Sequence, residues 1–182
     1  MRKLFIALTA IGTVFLAAPV LAQVALTPEA AAELAFMREE EKLAHDVYAL
    51  FATQYDGNAP GAKIFGRIAE SETRHMEAVL KLLNTYGLVD PAQPEPGVFL
   101  DEELQALYAT LVAVGQQGKI EALGVGVVIE QKDMTDIVEA IEISIAYPDI
   151  VQVYTNLLSG SESHLEAFLK ALDRPAEAAG SK

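Results

Sequence analysis

The sequence predicts an all-α protein, four long helices paired antiparallel by short turns, with one long crossover that contains a short extra helix. Three observations predict it. Apolar residues recur at the three- and four-residue spacing of a helix face, and no segment reads convincingly as a strand. Beyond Pro19, every proline falls outside those periodic stretches or at the start of one. The connections run short, long, short; short turns force antiparallel neighbours, while a long segment can travel the length of a bundle.

Arg2 and Lys3 precede an apolar run from Leu4 to Leu21 that ends Val20-Leu21-Ala22. This reads as a secretory signal peptide over residues 1–22, cut before Gln23. The competing reading is a retained anchor, but the run is at the lower limit for a span and Pro19 sits just before the cut. The expected location is therefore periplasmic or extracellular. Residues 23–174 suit one domain with a sizeable core, and residues 175–182 form an Ala/Gly/Ser tail expected to be disordered.

Thr27-Pro28-Glu29 opens the first helix with a cap, a proline in the first turn and an acid at the positive end. It runs to about Tyr55, and Asp56 to Gly61 make a turn. The second helix continues to about Tyr86, with Phe65, Ile68, Met76, Val79 and Leu83 on its buried face and Gly87 as its stop. Residues 87–100 hold three prolines and two glycines and read as linker. A short helix follows from Asp101 to about Val114, then a long one from Lys119 to Ala146, and a last one from Pro148 or Asp149 to Leu172. This is the connectivity of ferritin-like four-helix bundles with one long crossover.

The chain carries a net charge of −13, and loss of Arg2 and Lys3 with residues 1–22 takes it to −15. Such a surface disfavours nucleic acid and anionic lipid as partners, and no membrane association is expected after cleavage. With no cysteine, any metal chemistry must use oxygen and imidazole ligands.

Polar residues intrude on the apolar stripes. In the second helix the stripe reads Phe65, Ile68, Glu72, His75 or Met76, Val79, Leu83. Glu72 and His75, three apart, project from one face and can grip one metal or bridge two. The helix after Gly118 reads Ile120, Leu123, Val127, Glu130, Met134, Ile137, Ile141, with Asp133 one turn beyond Glu130 and close to the same face. The last helix reads Val151, Tyr154, Leu158, Ser161, His164 or Leu165, Phe168, Leu172. In the first helix two neighbouring stripes contain Glu41 and Glu40, and periodicity leaves both open; His45 lies on the flank. Singly, an inward Glu or His is more often a hydrogen-bonded core group, and Glu39 to Glu41 more often make a solvated face. Coincidence across four helices favours a metal site, because di-iron and di-manganese carboxylate centres are built that way.

Three segments carry a resemblance: Phe36 to Tyr48 (FMREEEKLAHDVY), Ile68 to Met76 (IAESETRHM) and Val125 to Met134 (VGVVIEQKDM). With Ser161 to Phe168 (SESHLEAF), they resemble a prokaryotic ferritin-like family filed among the domains of unknown function, the one numbered 2202, distantly similar to rubrerythrins. The resemblance spans about Glu33 to Leu172. It implies a first-helix ligand seven residues before a tyrosine, which selects Glu41 through Tyr48, with Glu72, His75 and Glu130 as further ligands. His164 matches as well, but Ser161 stands where a glutamate is expected three residues before it. Either Asp133 supplies the missing carboxylate or the second metal is weak or absent; Glu162 ranks low, about 160° around the helix from His164. The implied cofactor is iron, most simply di-iron, with manganese or zinc as alternatives. The implied activity is oxidation of ferrous iron or reduction of peroxide or oxygen, with Tyr48, Tyr154 and His45 orienting ligands or carrying charge. A scaffold that stores a cation without turnover is the alternative, and a homodimer is expected by analogy.

Overall fold

Helix boundaries follow local chemistry. α1 (Pro28–Tyr55) begins where the Thr27 hydroxyl accepts from the Ala30 amide and proline fills the first turn. α2 (Ile64–Tyr86) has no cap of its own; the Asp56 carboxylate reaches across the turn and accepts from the Phe65 and Gly66 amides. Gly87, at φ 70°, ends α2 in the left-handed conformation that lets the Leu88 amide return to the Leu83 carbonyl. α3 (Glu102–Gly115) is capped by Asp101, whose carboxylate accepts from the Glu103 and Leu104 amides. α4 (Lys119–Ile143) stops three residues before the expected Ala146. There the chain turns, the Tyr147 amide donating to the Ser144 carbonyl at 2.8 Å, and Pro148 disfavours helical geometry at Tyr147 before α5 (Pro148–Leu172).

These five helices come from a computed structural model that describes residues 25–57 and 63–173, with no strand among the described residues. The expected signal peptide, the middle of the first turn (58–62) and the C-terminal tail lie outside the described residues.

α1 packs on α2 and α4, α5 packs on α4 and α2, and α3 lies against α1 and α4. The apolar side chains separate into two clusters. One joins the C-terminal half of α1 (Leu43 to Phe51) to the start of α2, the start of α4 and Phe168 near the end of α5. The other joins the opposite halves: Ala30 to Met37 of α1, Val79 to Leu83 of α2, Ile137 and Ala140 of α4, and Ile150 to Leu157 of α5. That division requires each packed pair of long helices to run antiparallel. A buried polar layer, with Glu41, Glu72, His75, Glu130, Asp133, Ser161 and His164, separates the clusters.

The buried face of α4 is turned from the expected stripe. Ile120 is 61 % exposed, while Ala122, Gly126 and Ala140 are buried alongside Ile129, Glu130 and Asp133. The small residues make the closest approach: a Cβ on Gly126 would lie 2.6 Å from the Phe168 ring. Large apolar residues therefore mark this face poorly.

Met37 through Ala44 of α1 are all buried, so the alternative of a solvated face over Glu39 to Glu41 is not observed. The crossover covers it. Arg38 grips Asp90 with two hydrogen bonds of 3.0 and 3.1 Å, and Glu39 accepts from the Leu100 and Asp101 amides. Lys42 spends its three donors on Asp46, the Glu95 carbonyl and the Val98 carbonyl, and Asp46 accepts from the Gly97 amide. Removing the Asp46 carboxylate leaves the Lys42 ammonium buried and underpaired. Asp46→Ala should destabilise the protein by about 3 kcal/mol, the scale for breaking one half of a buried pair. Urea unfolding checks this, and a loss below about 1 kcal/mol would show that the crossover is not held by this network.

Candidate metal centre

The polar layer is built by one turn from each long helix. Glu72 and His75 lie one turn apart on α2 and both point inward, because Ile68, Val79 and Leu83 bury the same face. His75 takes the inward position and Met76 sits half-buried at its side. The two oxygens of Glu72 face different partners: Oε2 is 2.8 Å from Nδ1 of His75, and Oε1 is 2.8 Å from Nδ1 of His164 on α5. His75 Nδ1 is also 3.2 Å from Glu41 Oε2, and His164 Nδ1 is 3.5 Å from Glu130 Oε2. The result is two buried triads, Glu41–Glu72–His75 and Glu72–Glu130–His164, that share Glu72. The imidazole rings stack with centroids 5.6 Å apart.

Other side chains fix this set. The Tyr48 hydroxyl, seven residues after Glu41 on α1, donates to Glu130 Oε1 at 2.6 Å and pins that carboxylate on α4. Ser161 Oγ lies 2.5 Å from Asp133 Oδ2 and 3.0 Å from the Leu157 carbonyl. Gly160 lies against the His75 ring, where a Cβ would come within 2.5 Å of Nε2. Glycine is thus required at that position for the imidazole to sit where it does.

The charges are arranged for cations. Burial opposes ionisation of Glu72, yet the close approach and charge of His164 and His75 outweigh it and hold this carboxyl down at about 2. Burial likewise opposes the imidazolium of His75, but Glu41 and Glu72 push it up to about 11; His164 rises to about 9 through Glu130 and Glu72. Glu41 is pushed up to about 8 by burial, and Asp133 well above the carboxylate range by burial and the charge of Glu41. Two imidazolium protons thus serve as counter-cations to buried carboxylates.

The residues fit a bound metal on three counts. Oxygen Oε1 of Glu41 and Oδ1 of Asp133 are buried without a hydrogen-bond partner. His164 Nδ1 and Glu72 Oε1 form an ion pair at 2.8 Å that is not aligned for a hydrogen bond, so neither atom has a hydrogen-bond partner. Four carboxylates and two neutral imidazoles would balance two divalent ions in a low-dielectric core.

Of the residues the sequence singles out, Glu41, Glu72, His75, Glu130 and His164 come together in the two triads, and Asp133 lies beside them in the same buried layer. Glu40 faces another way and pairs with Lys132, which separates it from Glu41 on geometry. His45 stands apart, its Nδ1 2.9 Å from Asp46, and Glu162 is exposed. Gly160 was not legible as a site residue: a glycine inside a helix carries no sign of what packs on it. Tyr154 is fully buried with its hydroxyl unpartnered, and burial and the charges of Glu33 and Glu41 hold its proton on.

Comparison with known proteins gives relatives of the whole domain. The sequence profile of a family described as "Uncharacterized protein domain (DUF2202)" matches residues 30–179. The uncharacterized protein MJ0754 of Methanocaldococcus jannaschii is 41 % identical over 138 residues, covering 75 % of this chain and 71 % of that protein. A crystal structure described as hypothetical protein MJ0754 from Methanococcus jannaschii superposes with a TM-score of 0.78 at 38 % identity, covering 85 % of this chain and 86 % of that one.

The protonation pattern sets a pH dependence for metal-free protein. Glu72 is acidic relative to its ordinary 4.5, so its contribution is complete above pH 4.5 and is lost as pH falls toward about 2. Glu41 holds its proton to about 8 against an ordinary 4.5, so its contribution declines as pH rises through that window. His164 and His75 behave alike, declining from 6.5 toward about 9 and about 11. Chelated protein should therefore melt highest at mildly acid pH and lose stability toward pH 9; a melting temperature that climbs from pH 5 to 9 contradicts the assignment. Gly160→Ala should displace the His75 imidazole and lower divalent-metal affinity at least tenfold while the far-ultraviolet circular dichroism stays helical, the scale of losing ligand orientation. Unchanged affinity in that variant counts against the close packing of Gly160 on His75.

Proposed function

The chain belongs to the DUF2202 family, and from the geometry of its buried layer we propose that it is a ferritin-like four-helix metalloprotein with a two-metal carboxylate and histidine centre. The observation that carries this reading is Glu72, whose two oxygens each lie 2.8 Å from a different imidazole, so that one carboxylate is common to two triads. Glu41 and His75 would hold one ion, Glu130 and His164 the other, and Glu72 both. Asp133 would complete the charge balance in place of the glutamate absent at position 161.

Iron or manganese in this donor set would supply redox chemistry toward oxygen or peroxide; zinc fits the donors but brings no redox step. The chain's own residues would orient and exclude. Tyr48 fixes Glu130, Gly160 fixes His75, and the two apolar clusters keep bulk water from both ends of the layer. The unpartnered Tyr154 hydroxyl is a buried donor available to a small oxygen ligand. The N-terminal pattern adds export to the reading, and the substrates it favours are ferrous iron and peroxide or oxygen. Storage of a cation without turnover would use the same ligands.

Filling the centre at neutral pH must displace protons from His75, His164 and Glu41, whose folded values are about 11, 9 and 8. Protein expressed in its native host should carry about two metal ions per chain, one for each triad, and metal addition to chelated protein should release protons measurable by pH-stat. Glu72→Ala should lose both ions and remain helical; full metal content in that variant would sink the reading. Aerobic addition of ferrous iron, followed by ferric-oxo absorbance and peroxide consumption, separates an oxidoreductase from a cation store.

A further inference from the structure

Glu40 lies one residue before Glu41 but outside the two triads. Its Oε1 accepts from Lys132 Nζ at 2.5 Å, and its Oε2 is buried with no hydrogen-bond partner. Lys132 immediately precedes Asp133, so the Glu40–Lys132 pair stands beside the edge of the centre formed by α1 and α4. Lys132 also pairs with Asp136 and lies 5.1 Å over the Phe36 ring. Its side chain is 37 % exposed, whereas that of Glu40 is 5 % exposed. The ammonium therefore sits between solvent and a buried carboxylate. With Leu43, Leu107 and Leu111, Glu40 and Lys132 line a small cavity between α1, α3 and α4, of the size of about one water.

On the solvent side the seam is acidic. Glu33, half-buried on α1, feels Asp136, Glu139 and Glu29 as well as Lys132, and burial together with those acids raises its carboxyl. Lys132 is thus the cation within an acidic approach. Burying Glu40 carries a desolvation cost, and one lysine satisfies only one of its oxygens. A divalent ion held by Glu40 and Asp136 would meet the second oxygen as well.

We propose that Glu40 and Asp136 form an outer divalent-cation site on the way into the centre, kept closed by Lys132 until an incoming ion displaces its ammonium. The proposal rests on the two-metal reading and extends it to the route by which metal enters. From Glu40 an ion has Asp133, whose charge acts on Glu40, as its next carboxylate.

Manganese(II) alone is a sufficient probe, with uptake rates from stopped flow against a chelating dye and ion counts from equilibrium dialysis. Lys132→Gln should load about tenfold faster than the natural chain, the low end of what removing an opposing charge does to steered association. It should also bind one further, weaker ion. Adding Glu40→Gln to Lys132→Gln removes that ion, and Lys132→Arg stays closed. Should Lys132→Gln fail to fold, Lys132→Met keeps the stem against Phe36 and reads the same quantities. The further ion is counted again in Glu72→Ala/Lys132→Gln, where the centre itself is disabled. Its presence there supports the outer site even if the natural chain binds no metal, the result that removes the two-metal reading. Its absence there overturns the outer site, as does Lys132→Gln loading at the natural rate.

Discussion

Glu72 is ionised at the middle of a buried layer between two apolar clusters, where an uncompensated carboxylate costs several kcal/mol. The surrounding helices are organised by that cost. α2 supplies His75 one turn away, α5 supplies His164 from the opposite side, and each imidazole keeps its proton because carboxylates face it. Glu41 from α1 and Glu130 from α4 then face the two imidazoles, at 3.2 and 3.5 Å. The layer therefore fixes the register of all four long helices at one height, and the apolar clusters above and below need only fill space.

α1 carries the heaviest load in that arrangement. Within five consecutive residues, Arg38 and Glu39 hold the crossover, Glu40 meets α4 through Lys132, Glu41 enters the centre, and Lys42 returns to the crossover. An α-helix advances 100° per residue, so these five side chains sweep the whole circumference. Glu41 is thereby held from behind: the crossover and α3 clamp the turn that presents it. Side chains fixed by such support lose little freedom when they bind, which is how preorganised sites gain affinity.

The helices themselves were largely legible, since caps, prolines and Gly87 are local signals, and four of the five ends fall within about a residue of their expected places. Periodicity also carried Glu72, His75 and Glu130 into the core. It failed where helices come closest. On α4 the buried face is marked by Ala122, Gly126 and Ala140, residues with no hydrophobic weight, while Ile120 points outward. A reading weighted by large side chains sees only half of such a face, and so places Asp133 at its margin. In α1 the pattern could not divide Glu40 from Glu41, because both are buried and only the partner differs. Partners across helices are tertiary information, and Gly160 beneath His75 is the same case.

Ser161 shows what tertiary contact adds to a gap in a pattern. A glutamate there would reach inward from α5; serine is too short, and its hydroxyl stays near its own helix, 3.0 Å from the Leu157 carbonyl. The space is met from α4 instead, where Asp133 comes within 2.5 Å of that hydroxyl. Ser161 is the donor to both the Asp133 carboxylate and the Leu157 carbonyl, so its one proton is shared between two acceptors. With Ser161 on Oδ2, Oδ1 of Asp133 is the oxygen that has no protein partner. On the two-metal reading this makes the bridges unequal. Glu72 would offer one oxygen to each ion from a carboxylate that lies between two imidazoles, while Asp133 would offer a single oxygen from a carboxylate tethered to serine. The asymmetry predicts two ions of different affinity, with the looser one at the edge of the centre that Asp133 shares with Lys132 and Glu40.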